Sequence, residues 1–323
     1  IVNAFVEKAS SNGIDVFRTF DALNDFSNIE LTIKEVKNNG KHAQGAMAYT
    51  VSPVHTLDSW LDLAKRIEDA GADSVAIKDM AGLLKPNDAF ELVSNLKEKI
   101  SVPIHMQTHA TTGFSTATNM KAIEAGIDNI DTSISSMSMT YGHTATETII
   151  SMFDHTKFFS DINKNFFPEL SSHFKKIRKK YELYEGSLKG VDASMLINQV
   201  PGGMLSNLES QLREMDADDK FEDVLNEIPR VRQDLGFVPL VTPSSQIVGA
   251  QSLFNVLDGE RYKHLNIETV NLILGKYGKV PGKINKNLSN LAKKVKQEKQ
   301  IQEDIDSAKT KLRDFCKENK IKD

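Results

Sequence analysis

Three polar side chains recur at every second position in the stretch PIHMQTHATTG: His105, Gln107 and His109. In an extended strand, positions i and i+2 share a face ~6.6 Å apart, whereas i and i+4 are ~13 Å apart. Divalent metals hold imidazole nitrogens at ~2.0–2.1 Å. His105 and His109 are therefore too far apart to share one ion, and the pair with ligand spacing is 107 and 109. A metal strand of this type would read His-x-His, but here the first position is Gln107. A glutamine carbonyl is a neutral and weaker ligand than imidazole for a borderline-soft ion. Read alone, His109 also has a plain interpretation as a hydrogen-bonded structural residue.

Lys78, in KDMAG, either pairs with a carboxylate or is held partly neutral by burial and reacts as an amine. Such an amine takes up CO₂ to give a carbamate, a bidentate anionic ligand. Arg18, in FRTFDALND, has the fork that grips a substrate carboxylate, or it pairs with Asp21. In PGGMLSNL, Ser206 or Asn207 is placed to cap a helix, or the Ser206 hydroxyl hands a proton between two bound substrates. Neither a phosphate loop G-x-x-x-x-G-K-[ST] nor a dinucleotide G-x-G-x-x-G is present, so nucleotide chemistry has no support.

The elements that must position these residues alternate along the first half of the chain. DVFRTF, HAQGAMAY, SVAIKDM, PIHMQTH and NIDTSI read as short strands, separated by helical patterns that repeatedly stop at Gly. This βα alternation predicts a parallel sheet. Arg18, Lys78 and His109 fall near the C-terminal ends of their strands and Tyr141 follows the fifth, which suits the mouth of a (β/α)₈ barrel. Five units are too few to close eight strands. Either the sheet is open and doubly wound, or three units precede residue 1. From about residue 155 the periodicity is helical, and from about Lys279 the chain is lysine-rich and poor in large apolar residues, as in a solvated helix or linker. The expected organisation is barrel units over 1–155, a mainly α-helical domain over 156–285, and a charged helical tail over 286–323.

Composition narrows the class. Of 323 residues, 40% are apolar, enough for a sizeable core, and the net charge of −4 gives no reason to expect nucleic acid. A single cysteine, Cys316, excludes an intrachain disulfide and a cysteine-based zinc cluster. No signal peptide or membrane-spanning run is apparent, so a cytoplasmic location is the default expectation. The chain opens IVNAFVEKASSNG without an initiator Met, and upstream residues are expected.

Taken together, GIDVFRTFDALND, AIKDMAGLLKP, PIHMQTHATTG, KAIEAGIDNIDTSISSMS and VPGGMLSNLESQ resemble the carboxyltransferase domain of biotin-dependent enzymes. The resemblance is collinear from residue 1 to about 285. TYGHTATE and RVRQDLGFVPLVTPSSQIVGAQ are most similar to the α subunit of sodium-pumping oxaloacetate decarboxylase. The alternative is the B subunit of a two-subunit pyruvate carboxylase, where Ser-Gln-Pro is expected in place of Tyr141-Gly142-His143. The resemblance implies a TIM barrel, here lacking its first βα units, followed by a helical funnel domain. It implies a divalent metal, often zinc, held by an aspartate from a strand absent here, a carbamylated lysine and two histidines. Lys78 matches the lysine and His109 the second histidine, while Gln107 falls at the first. Arg18 matches the arginine that binds the keto-acid carboxylate, Ser206 the proton-shuttling threonine, and Tyr141 an active-site tyrosine.

The implied reaction moves a carboxyl group from oxaloacetate to biotin, giving pyruvate. Biotin would arrive on a separate carrier domain, since no Ala-Met-Lys-Met is present. The decarboxylase reading adds membrane subunits and peripheral attachment to the inner membrane; a homodimer is expected on either reading. Gln107 and the absent strands predict reduced metal affinity and a chain of poor or no activity. Two other classes compete: a degenerate, non-catalytic scaffold, and a barrel aldolase or lyase with a Schiff-base Lys78.

Overall fold

The computed structural model describes residues 1–158, 162–185, 188–193 and 195–318; the side chains of 198, 202, 203, 206, 299–304, 308 and 312–318 lie outside that description. Strands β1 (Val16–Phe20), β2 (His42–Ala48), β3 (Ser74–Asp79), β4 (Ile104–Thr108) and β5 (Asn129–Ile130) form one parallel sheet in the order β1-β2-β3-β4-β5. Strictly sequential order is the winding of a barrel; a doubly wound sheet would reverse direction at a switch point. The five strands do not close on themselves. The fifth is shorter than the sequence predicts. Asp131 N still donates to Met106 O, but from Ser133 the chain turns away to bond with Thr144 and Ala145.

Among the described residues, six helices belong to this unit: α1 (Val2–Ser11), α2 (Phe26–Asn38), α3 (Leu57–Asp69), α4 (Pro86–Lys99), α5 (Ser115–Glu124) and α6 (Thr146–Met152). Asp25 caps α2 by accepting from Ser27 N, and Thr56 with Ser59 forms a capping box on α3. Their apolar stripes, such as Ile29, Ile33 and Val36 on α2 and Leu63, Ala64 and Ile67 on α3, bury against the outer face of the sheet. Val75 and Ile77 of β3 join that core. Strand alternation then sends Ala76 and Lys78 to the inner face.

The second half contains α7 (Phe167–Lys180), α8 (Met195–Asn198), α9 (Gly202–Glu214), α10 (Phe221–Asp234), α11 (Ser244–Leu257), α12 (Ile267–Ile273) and α13 (Lys286–Glu318). A separate apolar core joins α9 to α13 and reaches Leu23 of the barrel unit. The terminal helix departs from its predicted solvated character at its start, because Leu288 and Ala292 are buried in that core. Arg232 of α10 seats this helical unit on the sheet. Its guanidinium is buried and donates to Thr50 Oγ1 and Val51 O beyond β2, to Gln199 Oε1, and to Val238 O. No helix among the described residues is long and apolar enough to cross a membrane.

Candidate active site

The inner face of the sheet carries polar residues in two layers, set by register. In the deeper layer Arg18 of β1 pairs with Gln44 of β2, which pairs with Ser74 of β3; His105 of β4 pairs with Asn129, two residues before Asp131. Arg18 Nε donates to Gln44 Oε1 at 2.5 Å, and Nη1 donates to Asp131 Oδ2 at 2.6 Å. His105 Nε2 lies 2.6 Å from Asp131 Oδ1 and 3.0 Å from Arg18 Nη2. Burial raises the Asp131 pKa, but hydrogen bonds from His105 and Arg18 outweigh it and hold the carboxyl well below the usual carboxylate range. Arg18 and Asp131 each keep 26% of their side-chain surface exposed, so neither is fully shielded from solvent.

The upper layer pairs Lys78 with Gln107 in register, with Lys78 Nζ donating to Gln107 Oε1 at 3.0 Å. The ammonium also sits 5.0 Å from the centre of the Phe20 ring. Burial lowers the Lys78 pKa, the Arg18 charge pushes the same way, and Asp131 opposes both. The next residue, Asp79, is fully buried and accepts from Leu83 N, Leu84 N and Thr108 Oγ1. These bonds shape the KDMAG turn, where Gly82 has φ +66° and a Cβ would stand 2.6 Å from His109 O. A glycine is required there because backbone from β4 passes so close.

His109 follows β4. Its Nδ1 lies 2.6 Å from Tyr141 O, so this nitrogen carries the proton and donates, while Nε2 is buried and has no partner among the described residues. Burial pushes its pKa down to about 4, keeping the ring neutral. His109, Tyr141 and Met80 from the mouth, with Met204 and Leu208 of α9 and Gly249 of α11, line a cavity of about 560 Å³ between the two halves of the chain. Arg18 and Lys78 stand outside its wall, in the trough of the sheet.

The structure brings Arg18, Lys78, Gln107, His109 and Tyr141 to the C-terminal face of the sheet. It does not make the Arg18–Asp21 pair: Asp21 is spent on Leu23 N, Asp25 N and Asn28 Nδ2. Nor, among the described residues, does Lys78 ion-pair; its hydrogen-bond partner is an amide oxygen. Helix α9 begins at Gly202 with Pro201 at its N-cap and no side-chain cap, so Ser206 and Asn207 are not caps. Ser206 lies in the second turn, and its side chain is outside the described residues. Sequence reasoning misses Gln44 and Asp131 and sets His105 aside. The signal that finds them is the shared register of inward positions on successive strands.

A metal fits this donor set poorly. Among the described residues no three His, Cys, Asp or Glu side chains converge. His109 Nε2 is an orphaned imidazole nitrogen in the ligating tautomer, but its neighbour at the strand offers an amide oxygen already bound by Lys78. The cavity lies within the ordinary range of small-molecule sites, about 300–1,000 Å³.

Sequential parallel strands with a polar mouth define a barrel-type enzyme scaffold. The family profile described as HMGL-like matches residues 8–173, and the one described as conserved carboxylase domain (PYC_OADA) matches 195–323. The chain belongs to the biotin-dependent carboxyltransferase family. It is 52% identical over 289 residues to the pyruvate carboxylase B subunit of Methanocaldococcus jannaschii, covering 89% of this chain and 51% of that protein. It is 46% identical over 303 residues to the methylmalonyl-CoA carboxyltransferase 5S subunit of Propionibacterium freudenreichii subsp. shermanii, covering 93% and 60%. The carboxyl transferase domain of Rhizobium etli pyruvate carboxylase with pyruvate superposes with a TM-score of 0.87 at 29% identity, covering 91% of this chain and 52% of that one. The chain thus spans about half the length of these relatives. They favour the pyruvate carboxylase alternative over the decarboxylase reading drawn from TYGHTATE and RVRQDLGFVPLVTPSSQIVGAQ.

Proposed function

We propose that this chain forms the carboxyltransferase site at which a carboxyl group passes between biotin and pyruvate, as part of a pyruvate carboxylase of the two-subunit kind. The observation that carries the reading is Arg18, a partly exposed guanidinium on the inner face of the sheet, oriented by Gln44 and Asp131. Biotin, delivered on a carrier, supplies the carboxyl group on its ureido nitrogen. Arg18 holds the carboxylate of the 2-oxo acid and fixes its methyl group toward the mouth. Lys78 is the reactive amine of the site. Free, it donates to the keto oxygen as negative charge develops there; its lowered pKa also favours the carbamate that the family resemblance implies.

The residues lining the cavity exclude water from the carrier's ring, which protects the transferring carboxyl group. The Ser206 hydroxyl is assigned from the resemblance alone as the group that relays a proton from the pyruvate methyl to biotin nitrogen. The membrane subunits belong to the decarboxylase reading and recede with it.

The reading is tested by calorimetry with pyruvate and its uncharged analogue pyruvamide. Pyruvate is expected to bind at least about tenfold more tightly, because only it offers a carboxylate to Arg18. Equal affinities would remove Arg18 as the anchor and the reading with it.

A further inference from the structure

His105 is too far along the strand from His109 to share a metal, yet it holds the most informative contacts in the deeper layer. Its Nε2 faces two groups with opposite demands. Arg18 Nη2, 3.0 Å away, is a donor only; Asp131 Oδ1, 2.6 Å away, is an acceptor only when ionised. One nitrogen cannot satisfy both. A bare lone pair on Nε2 would face the carboxylate oxygen at 2.6 Å, which is strongly repulsive. The proton therefore sits on Nε2 and points at Asp131, and the 3.0 Å approach of Arg18 Nη2 is not a hydrogen bond.

This assignment changes what Arg18 has left to give. Nε is committed to Gln44 and Nη1 to Asp131. Among the described residues, Nη2 is left with a long contact, 3.4 Å, to the same Asp131 oxygen that His105 holds at 2.6 Å. Without the His105 proton, Asp131 Oδ1 would be free to take Nη2 at full strength, closing a two-bond fork that leaves the guanidinium little to offer a ligand. We propose that His105 is a positioning residue that occupies Asp131 Oδ1 and so keeps Arg18 Nη2 available for the carboxylate of the 2-oxo acid. The inference rests on Arg18 as the substrate anchor and adds how that anchor is kept open.

The experiment compares pyruvate affinity by calorimetry, and KM and kcat with a biotinylated carrier, for wild-type, His105→Leu, His105→Gln and Arg18→Met full-length protein. His105→Leu is expected to weaken pyruvate binding about tenfold, with the loss in KM rather than kcat. His105→Gln, whose amide N–H can still donate to Asp131, is expected to recover most of it. If Arg18→Met binds pyruvate like wild type, the substrate-anchor reading itself fails. If Arg18→Met loses binding but His105→Leu does not, the His105 inference alone is overturned. Nitrogen-15 spectra of the wild-type ring decide the matter even where a variant does not fold: a protonated Nε2 supports the inference, and an unprotonated one overturns it.

Discussion

Replacing Arg18 with Met is expected to lower kcat/KM for carboxyl transfer to pyruvate at least about a hundredfold, roughly 3 kcal/mol of lost transition-state stabilisation. The size follows from two losses at once. The substrate carboxylate loses a charge-assisted fork that also fixes its orientation. Asp131, half-buried, keeps its hydrogen bond from His105 but loses the guanidinium that pairs with its charge, so the deeper layer holds a carboxylate without that cationic partner beside the site. Arg18→Lys keeps the charge but not the planar fork, and should fall between Met and wild type. Steady-state assays at several pyruvate concentrations check both, and an Arg18→Met protein that keeps wild-type kcat/KM would refute the assignment.

The second large effect is a gain. Gln107→His is expected to raise zinc affinity about 10- to 100-fold, read as metal content after dialysis against a competing chelator. The substitution places an imidazole two residues before His109 on the same strand face, in register with Lys78. It also removes the amide oxygen that now accepts from Lys78 Nζ, releasing the amine. His109 is ready for this partner, since its Nδ1 proton is fixed on Tyr141 O and its Nε2 is unclaimed. No change in metal content would show that Gln107 is not what limits the site.

Much of this architecture is legible in the sequence, and the reasons are local. Strands such as SVAIKDM alternate a core face with an inner face, and helices such as NIELTIKEVKNNG carry a 3.6-residue apolar stripe with a glycine stop. Arg18, Lys78 and His109 announce themselves by being polar at the ends of such strands. The ambiguity between a barrel and a doubly wound sheet is resolved only by strand order, a non-local property. Asp131 cannot be read from the sequence because it stands 113 residues from Arg18 and meets it only when the sheet curls. His105 escapes for a related reason: spacing along one strand answers whether it shares a metal with His109, but its partners lie across strands. Ser206 shows the limit of turn chemistry. PGG reads as a loop with a cap to follow, but the helix starts at Gly202 itself.

The most direct test of the account is carboxyl exchange between carbon-14 pyruvate and unlabelled oxaloacetate, using the full-length protein with a biotinylated carrier. A carboxyltransferase site of this kind moves label into oxaloacetate without nucleotide, and avidin stops it by sequestering the biotin. Absence of exchange, or exchange that persists in avidin, would contradict carboxyl transfer through biotin as the function of this chain.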